Sequence, residues 1–283
     1  MGLLLGILFG FVLFFVATIM FVRLIAAFLG YVGLSFNISI PYFMYFEFFP
    51  KHLSRNDVEI LNKYFTYYKK LSPRLKKSFE KRVARVLRAK TFHPREDLEI
   101  TNEMRVLISA SLVQLTFGLA KYVIKPFKDI FIYPDKYTSV ITKKGNLGEV
   151  NPNGAVVFSW KHFLAGYVDP NDNINLGLHE FSHALLIASQ RLMFNDKRFD
   201  KYFGNWEEDG MSDFIALRKG TEKYFREYGG TNKLEYFAVC CEYFFETPEQ
   251  FKKLKPKLYR SMVLVLGQDP LKIGLSQQQK ILD

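Results

Sequence analysis

The stretch INLGLHEFSHALLI, residues 174–187, decides how the rest of the chain is interpreted. It contains the motif H-E-x-x-H, with His179 and His183 four positions apart and Glu180 directly after the first histidine. A turn cluster, DPNDN, precedes it, and the apolar spacing that follows predicts a helix to about Met193. Because residues four apart lie on one face of a helix, both imidazoles can bind one metal ion.

This donor set favours zinc. Zinc accepts two imidazoles and a carboxylate, keeps an open position for water and lowers the pKa of that water towards 7, and Glu180 flanks the same site as a proton acceptor. The alternative is a pair of hydrogen-bonded histidines in a core helix. Because the chain has five histidines, a chance H-E-x-x-H should arise about once in a few hundred proteins. The motif therefore predicts one zinc ion per chain.

The motif alone does not name the third ligand. A metzincin would need glycine and histidine where Leu186 and Ser189 stand, so that class is excluded. Downstream acids remain in two stretches, a polar one within MFNDKRFDKYFGNWEEDG, predicted to be turn-rich, and the apolar KLEYFAVCCEYFFETPEQF, where a buried carboxylate needs a metal or a partner. The candidates are Glu207, Glu208 and Asp209 in the first stretch, and Glu235 and Glu242 in the second.

The elements before the motif predict an α+β fold that is mainly helical, with a small sheet beside the motif helix. Helical spacing extends from about Arg95 to Tyr122, and IFIYPD (130–135) and AVVFSW (155–160) have the β-branched and aromatic composition of strands. AVVFSW is our candidate for pairing with an extended substrate, which would add a strand to the sheet.

The N-terminus predicts a transmembrane helix before this domain. Gly2 to Val22 are 21 positions without a charge, long enough to cross about 30 Å of hydrocarbon. No basic leader precedes the run, so we expect a retained anchor rather than a cleaved signal peptide. The aromatic residues that continue to Phe49 favour an interfacial segment after a single span over a second span.

Positive charge is concentrated in residues 51–95, where 14 Lys or Arg face three acids, a balance of +11 that equals the net charge of the chain. This bias predicts a single-pass, membrane-anchored protein with a cytoplasmic catalytic domain and with contacts to lipid headgroups. Nucleic acid is disfavoured as a partner, because the basic stretches lack a recognised nucleic-acid motif.

The predicted domains are an anchor with its interfacial segment at 1–50, basic juxtamembrane helices at 51–94 and a peptidase domain at 95–283. The adjacent Cys240 and Cys241 fit a reducing compartment.

Over about residues 95–271, the chain resembles the Mlc titration factor A family of zinc-dependent peptidases, whose catalytic core is related to that of anthrax lethal factor. The stretches that carry the resemblance are FKDIFIYPDKY, GAVVFSW, NINLGLHEFSHAL, LEYFAVCCEYFFETPEQF and QDPL. The resemblance implies a zincin-like metallopeptidase domain. It also implies that His179, His183 and Glu235 hold the zinc and that Glu180 is the general base activating zinc-bound water. Tyr228, seven residues before Glu235, is expected to hydrogen-bond the oxyanion.

The implied function is hydrolysis of peptide bonds in a peptide or protein substrate, and aminopeptidase activity is one form of it. The alternative is a membrane-tethered regulatory protein that binds and sequesters a transcriptional regulator, with peptidase activity secondary. The chain departs from the family at Leu186, where members often have an aspartate, and in its N-terminal segments, so localisation does not transfer from soluble members.

Overall fold

The computed structural model describes residues 52–139 and 143–274, together with positions 6, 9–10, 14–18 and 20–21. The chain divides into two units, residues 1–50 and 51–283. In the first unit, the described positions are helical. The predicted boundary between residues 94 and 95 stays a prediction.

The transmembrane helix in the predicted fold class is corrected by the structure. Among the described residues, no helix is both long enough and apolar enough to cross a bilayer. Most of the predicted span, Gly2 to Val22, and the aromatic segment that follows it lie outside the described residues.

The predicted α+β class is confirmed, because the second unit is mainly helical with a small sheet. Its described helices are α1 (Arg55–Tyr64), α2 (Thr66–Lys70), α3 (Pro73–Ala89), α4 (Asn102–Thr116), α5 (Trp160–Val168), α6 (Leu176–Gln190), α7 (Lys197–Arg218), α8 (Lys233–Glu246), α9 (Pro248–Leu254) and α10 (Pro256–Leu266). A short 3₁₀ turn covers Glu227–Gly230. Its described strands are β1 (Thr91–Pro94), β2 (Asp129–Tyr133), β3 (Tyr137–Thr138), β4 (Gly145–Asn146), β5 (Gly148–Asn151) and β6 (Ala155–Ser159).

Four of these strands form one sheet in the order β1-β2-β6-β5. The first three run parallel, and β5 pairs antiparallel with β6, so that Val150 lies opposite Val156. β3 and β4 form a separate two-stranded ribbon. Both β5 and β6 pack against α6, the helix that carries the histidine motif. The sheet therefore lies beside this helix, as predicted.

Helix α4 is the centre of the core, and it is shorter than the predicted helix from Arg95 to Tyr122. It begins at Asn102 because the Thr101 side chain accepts a hydrogen bond from the Met104 amide. Its side chains are buried almost all round, as expected for a helix packed on several sides, and α1, α3 and α6 surround it.

Helix α7 corrects the prediction for the segment MFNDKRFDKYFGNWEEDG, which was expected to be turn-rich and is helical from Lys197 to its end. Asp196 caps the helix by accepting from the Arg198 and Phe199 amides, and the helix continues for 22 residues. Its buried positions, Phe199, Trp206, Gly210, Phe214 and Leu217, recur at helical spacing on one face.

Lys90, at the end of α3, has its charged group inside the fold. Its side chain is buried, and its Nζ donates hydrogen bonds to the carbonyl oxygens of Ile124 and Phe127. Burial lowers the pKa of this amine to about 7, against the opposing attraction of Asp129. The folded protein therefore holds this lysine close to neutrality at physiological pH.

This lysine should give the fold a measurable pH dependence. Between pH 7 and about 10.4, the unfolded chain binds a proton at Lys90 that the folded chain does not, so this contribution to stability rises with pH in that window. We expect the urea midpoint of the wild type to rise relative to that of Lys90→Met as the pH increases from 7 to 9. The midpoints are measured with chelator present. Lys77→Met, an exposed position on the same helix, should follow the wild-type profile. Parallel profiles for Lys90→Met and the wild type would contradict the assignment.

Candidate metal centre

Two helices place the candidate ligands, and both are capped by asparagine. The Asn175 side chain accepts from the Leu178 amide and so starts α6, while the Asn232 side chain accepts from the Glu235 amide and starts α8. α6 packs directly on α8. As a result, His179 and His183, one turn apart on α6, face Glu235 in the first turn of α8.

Three donor atoms form a nearly equilateral triangle at this crossing. His179 Nε2 lies 3.0 Å from Glu235 Oε2 and 3.1 Å from His183 Nε2, and the third side, from His183 Nε2 to Glu235 Oε2, is 3.2 Å. Donors around a tetrahedral zinc ion at 2.0–2.1 Å lie about 3.3 Å apart. The donor set therefore fits zinc in both chemistry and spacing, and it is a group of His, Asp, Glu or Cys that can hold a metal ion among the described residues.

The electrostatics of the triangle are those of a cation site. Burial lowers the pKa of His179, but hydrogen bonds to Glu235 and Glu242 outweigh it and raise the pKa to about 10. Burial likewise opposes ionisation of Glu235, and the two histidines nevertheless hold its pKa well below the usual range. In the metal-free protein, these groups therefore share a proton, and a metal ion would compete with that proton for the same atoms.

Glu242 lies behind the triangle, two helical turns after Glu235 on α8. Its Oε2 accepts from His179 Nδ1 at 3.1 Å, and its Oε1 accepts from the Asn175 amide at 2.8 Å. The Arg226 guanidinium also donates to it. Sequence reasoning missed Arg226, which gives no local signal because its partner is 16 positions away. When a metal ion displaces the proton on Nε2, Nδ1 still donates to Glu242, so the lone pair of Nε2 is the one available to the metal.

Glu180 is buried beside the triangle, on the side of the sheet. Burial raises the pKa of this carboxyl group, and the neighbouring histidines oppose the shift. Strand β5 runs so close that a methyl group added at Gly148 would lie 2.5 Å from Glu180 Oε1. The carboxylate therefore occupies a slot between the motif helix and β5.

Tyr228 lies in the 3₁₀ turn, on the open side of the cluster. Its ring centroid is 5.9 Å from that of His179, and the residue is 53% exposed. Partial burial, together with the nearby Glu235 carboxylate, raises the pKa of its hydroxyl to about 12. The hydroxyl is therefore protonated at neutral pH and can donate a hydrogen bond to a group bound at the cluster.

The competing acids lie elsewhere. Glu207, on α7, accepts from Lys233 Nζ at 3.1 Å, and Asp209 is held by Ser261 and by Lys257. Glu208 is exposed. None of these three joins the described donor triangle.

Leu186, which follows the second motif histidine by three residues, is part of the buried core. Its side chain cannot accept a hydrogen bond, and His183 Nδ1 is buried without a hydrogen-bond partner among the described residues. The carboxylate that orients a motif histidine in this chain is Glu242, and it orients His179.

The strand AVVFS, proposed above to pair with substrate, cannot do so, because β6 is an inner strand bonded to β2 on one side and to β5 on the other. That interpretation is corrected. β1 and β5 are the two edge strands of this sheet. β5 pairs only with β6 among the described strands, and it is the one that passes next to Glu180.

A cavity of about 370 Å³ lies apart from the metal triangle. Its lining includes Gln114, Asn175 and Glu246, and none of the triangle residues. Asn175 Nδ2 donates to Glu246 Oε1 at 3.1 Å, and burial raises the pKa of Glu246 to about 8. Asn175, which lines the cavity, also donates its backbone amide to Glu242 and so links the cavity wall to the site.

Comparison with known proteins places the chain in a family. Residues 48–265 match the family model described as glucose-regulated metallo-peptidase M90. An uncharacterized protein of Synechocystis sp. is 24% identical over 80% of this chain and 88% of its own length. Proteins named Mlc titration factor A are similar too. The one from Pectobacterium atrosepticum is 25% identical over 69% of this chain and 80% of its own length. The one from Cronobacter sakazakii is 26% identical over 66% of this chain and 77% of its own length. Because the family model spans most of the sequence, including the histidine motif and Glu235, this chain belongs to the glucose-regulated metallo-peptidase M90 family.

Proposed function

We propose that this protein is a zinc-dependent metallopeptidase that hydrolyses peptide bonds. The observation that carries the proposal is the donor triangle of His179, His183 and Glu235 with a buried carboxylate, Glu180, next to it. Membership of a metallo-peptidase family supports the same reaction class.

His179, His183 and Glu235 would hold the metal through the three atoms that already face one another. When bound, zinc lowers the pKa of water at the site and polarises a carbonyl oxygen. Glu242 would fix the His179 ring through Nδ1, so that Nε2 stays directed at the other two donors.

Glu180 is the proposed general base. Its carboxylate takes a proton from the attacking water and passes it to the leaving amine. Its enclosed position supports this role, because burial raises the pKa of the carboxyl group and so brings its basicity closer to that needed near neutral pH.

Tyr228 is the proposed oxyanion donor. Its hydroxyl is protonated at neutral pH, and its ring lies beside that of His179 on the open side of the cluster. A donor at this place can stabilise negative charge that develops on a carbonyl oxygen during attack.

The proposed substrate position is the free edge of β5. An extended peptide that pairs with the residues from Gly148 to Asn151 would pass next to Glu180, because the strand itself does. Main-chain pairing of this kind requires no particular side chain, so it fits a peptide or protein substrate without defining its sequence.

Binding of a regulatory protein is a second candidate function. The relatives named Mlc titration factor A carry that activity in their name, and they match two thirds of this chain or more. Binding of this kind does not need Glu180 as a base. Replacement of Glu180 therefore separates the two functions, since it should lower the rate of hydrolysis strongly and leave binding intact.

Zinc content tests the proposal most directly. We expect the purified protein to contain about one zinc per chain, measured by metal analysis. It should hydrolyse amino-acid anilides or short internal peptides, lose this activity with chelator and regain it with added zinc. Hydrolysis of anilides alone would indicate an aminopeptidase. A protein that carries no zinc and takes none up on titration would refute the proposed function.

Replacement of the proposed base should separate metal binding from chemistry. Glu180→Gln keeps the side-chain volume but cannot accept the proton, so we expect normal zinc content and a kcat lowered by about 10²- to 10⁴-fold. Metal analysis and steady-state kinetics on the same sample provide the measurement. A zinc-loaded variant with a near-normal rate would assign the base to another group.

The third ligand can be tested with a matched pair of glutamates. Glu235→Ala removes one corner of the triangle, so we expect loss of bound zinc and of activity. Glu207→Ala removes only a surface partner of Lys233 and should change stability by less than about 0.5 kcal/mol, with zinc and activity retained. The opposite pattern in the two variants would show that Glu207 is the ligand.

A further inference from the structure

Gly148, the first residue of β5, lies against the side chain of Glu180. A methyl group built on Gly148 would meet Glu180 at three atoms, 2.5 Å from Oε1, 2.7 Å from Cγ and 2.8 Å from Cδ. Carbon atoms in proteins do not approach side-chain atoms this closely, so either the strand or the carboxylate would have to move. The hydrogen atom of glycine leaves the space that the carboxylate fills.

The backbone gives no other reason for a glycine at this position. Gly148 has no left-handed φ angle, whereas Gly154, Gly220 and Gly267 do, so alanine fits its conformation. Its partner across the strand pair, Phe158, is held in regular antiparallel register. What an added side chain would meet here is Glu180.

The Glu180 side chain has little freedom to move out of the way. The residue is 5% exposed, and it lies between the motif helix and β5, which pack against each other. The three heavy atoms nearest to an added methyl group all belong to Glu180, so the substitution acts first on this carboxylate and not on His179, His183 or Glu235.

We propose that Gly148 is a positioning residue for Glu180, because its missing side chain forms the slot that sets the carboxylate beside the metal ligands. This inference rests on the proposed function of Glu180 as the general base. Under this inference, the site needs more than its metal ligands and its base. Strand β5 must also carry no side chain at Gly148, where it faces Glu180.

Gly145 provides a matched control on the neighbouring strand β4. A methyl group at Gly145 also meets an atom at 2.5 Å, but that atom is Cε of Lys136, the far end of a flexible side chain. Lys136 is exposed and can move into solvent. The same substitution at the same nominal distance should therefore have little effect at Gly145.

The first experiment compares Gly148→Ala and Gly145→Ala as zinc-loaded enzymes. For Gly148→Ala, we expect unchanged zinc content and a kcat lowered by about 10- to 100-fold with little change in KM, because a displaced base affects the chemical step. Gly145→Ala should keep both parameters. A rise in KM with unchanged kcat would instead mean that the added methyl group obstructs the substrate, and it would overturn the proposal.

The second experiment repeats Gly148→Ala in a Glu180→Ala background, which removes all three atoms that the methyl group would meet. If Gly148 acts through Glu180, the substitution should lower neither the residual kcat nor the urea midpoint of the metal-free protein in that background. In the wild-type background, it should lower both. If Gly148→Ala alone folds poorly, the double variant should recover the soluble yield. Equal losses in the two backgrounds would show that the glycine serves the strand alone.

The two hypotheses fail in different ways. If the wild type shows no chelator-sensitive hydrolysis, the proposed function fails, yet the urea midpoints of the metal-free variants still report whether Gly148 and Glu180 are coupled. If the wild type is active and the midpoints show no coupling, only the role of Gly148 is refuted.

Discussion

The arrangement of the site depends on one buried carboxylate. Glu242, 1% exposed, accepts hydrogen bonds from the Asn175 amide, from His179 Nδ1 and from the Arg226 guanidinium. These donors belong to the start of α6, to the motif itself and to the segment that leads into the 3₁₀ turn. A carboxylate without partners would be costly at this depth, so its position is stable only while all three elements surround it. The same contacts that stabilise Glu242 therefore fix the orientation of His179 and the approach of α8 to α6.

Much of the site could be predicted from the sequence, because two of its metal ligands are only four residues apart in the chain. Four-residue spacing on a helix brings His179 and His183 together whatever the rest of the chain does, and the apolar surroundings of Glu235 indicated a carboxylate with a buried partner. The strands near 130 and 155 were also predictable, because their β-branched composition ends at proline, glycine and asparagine. What these patterns do not contain is which strand lies at the edge of the sheet. That order depends on pairing between distant segments, which is why β6 was taken for the substrate strand.

The errors have physical reasons of the same kind. The segment that forms α7 was interpreted as turn-rich because it is polar and contains glycine and asparagine. Gly210 nevertheless lies inside the helix, where a methyl group would contact Tyr236 and Leu258 tightly, at 3.0 and 3.2 Å. The aromatic residues at helical spacing in this segment were the better signal. Arg226 and Gly148 could not be found from the sequence, because each acts on a residue that only the fold brings near it. The transmembrane helix was inferred from composition alone, and no helix in the described part of the chain supports it.

The free edge of β5 exposes the protein to unwanted strand pairing. A strand with unpaired amide and carbonyl groups can pair with any extended chain, including another copy of the same protein, and such edges promote aggregation. β5 limits this hazard by being four residues long, by beginning with a glycine and by carrying Glu149, whose charge opposes stacking of identical strands. A longer or more apolar edge would favour self-association, so under the proposed function the short strand would balance substrate pairing against colloidal stability.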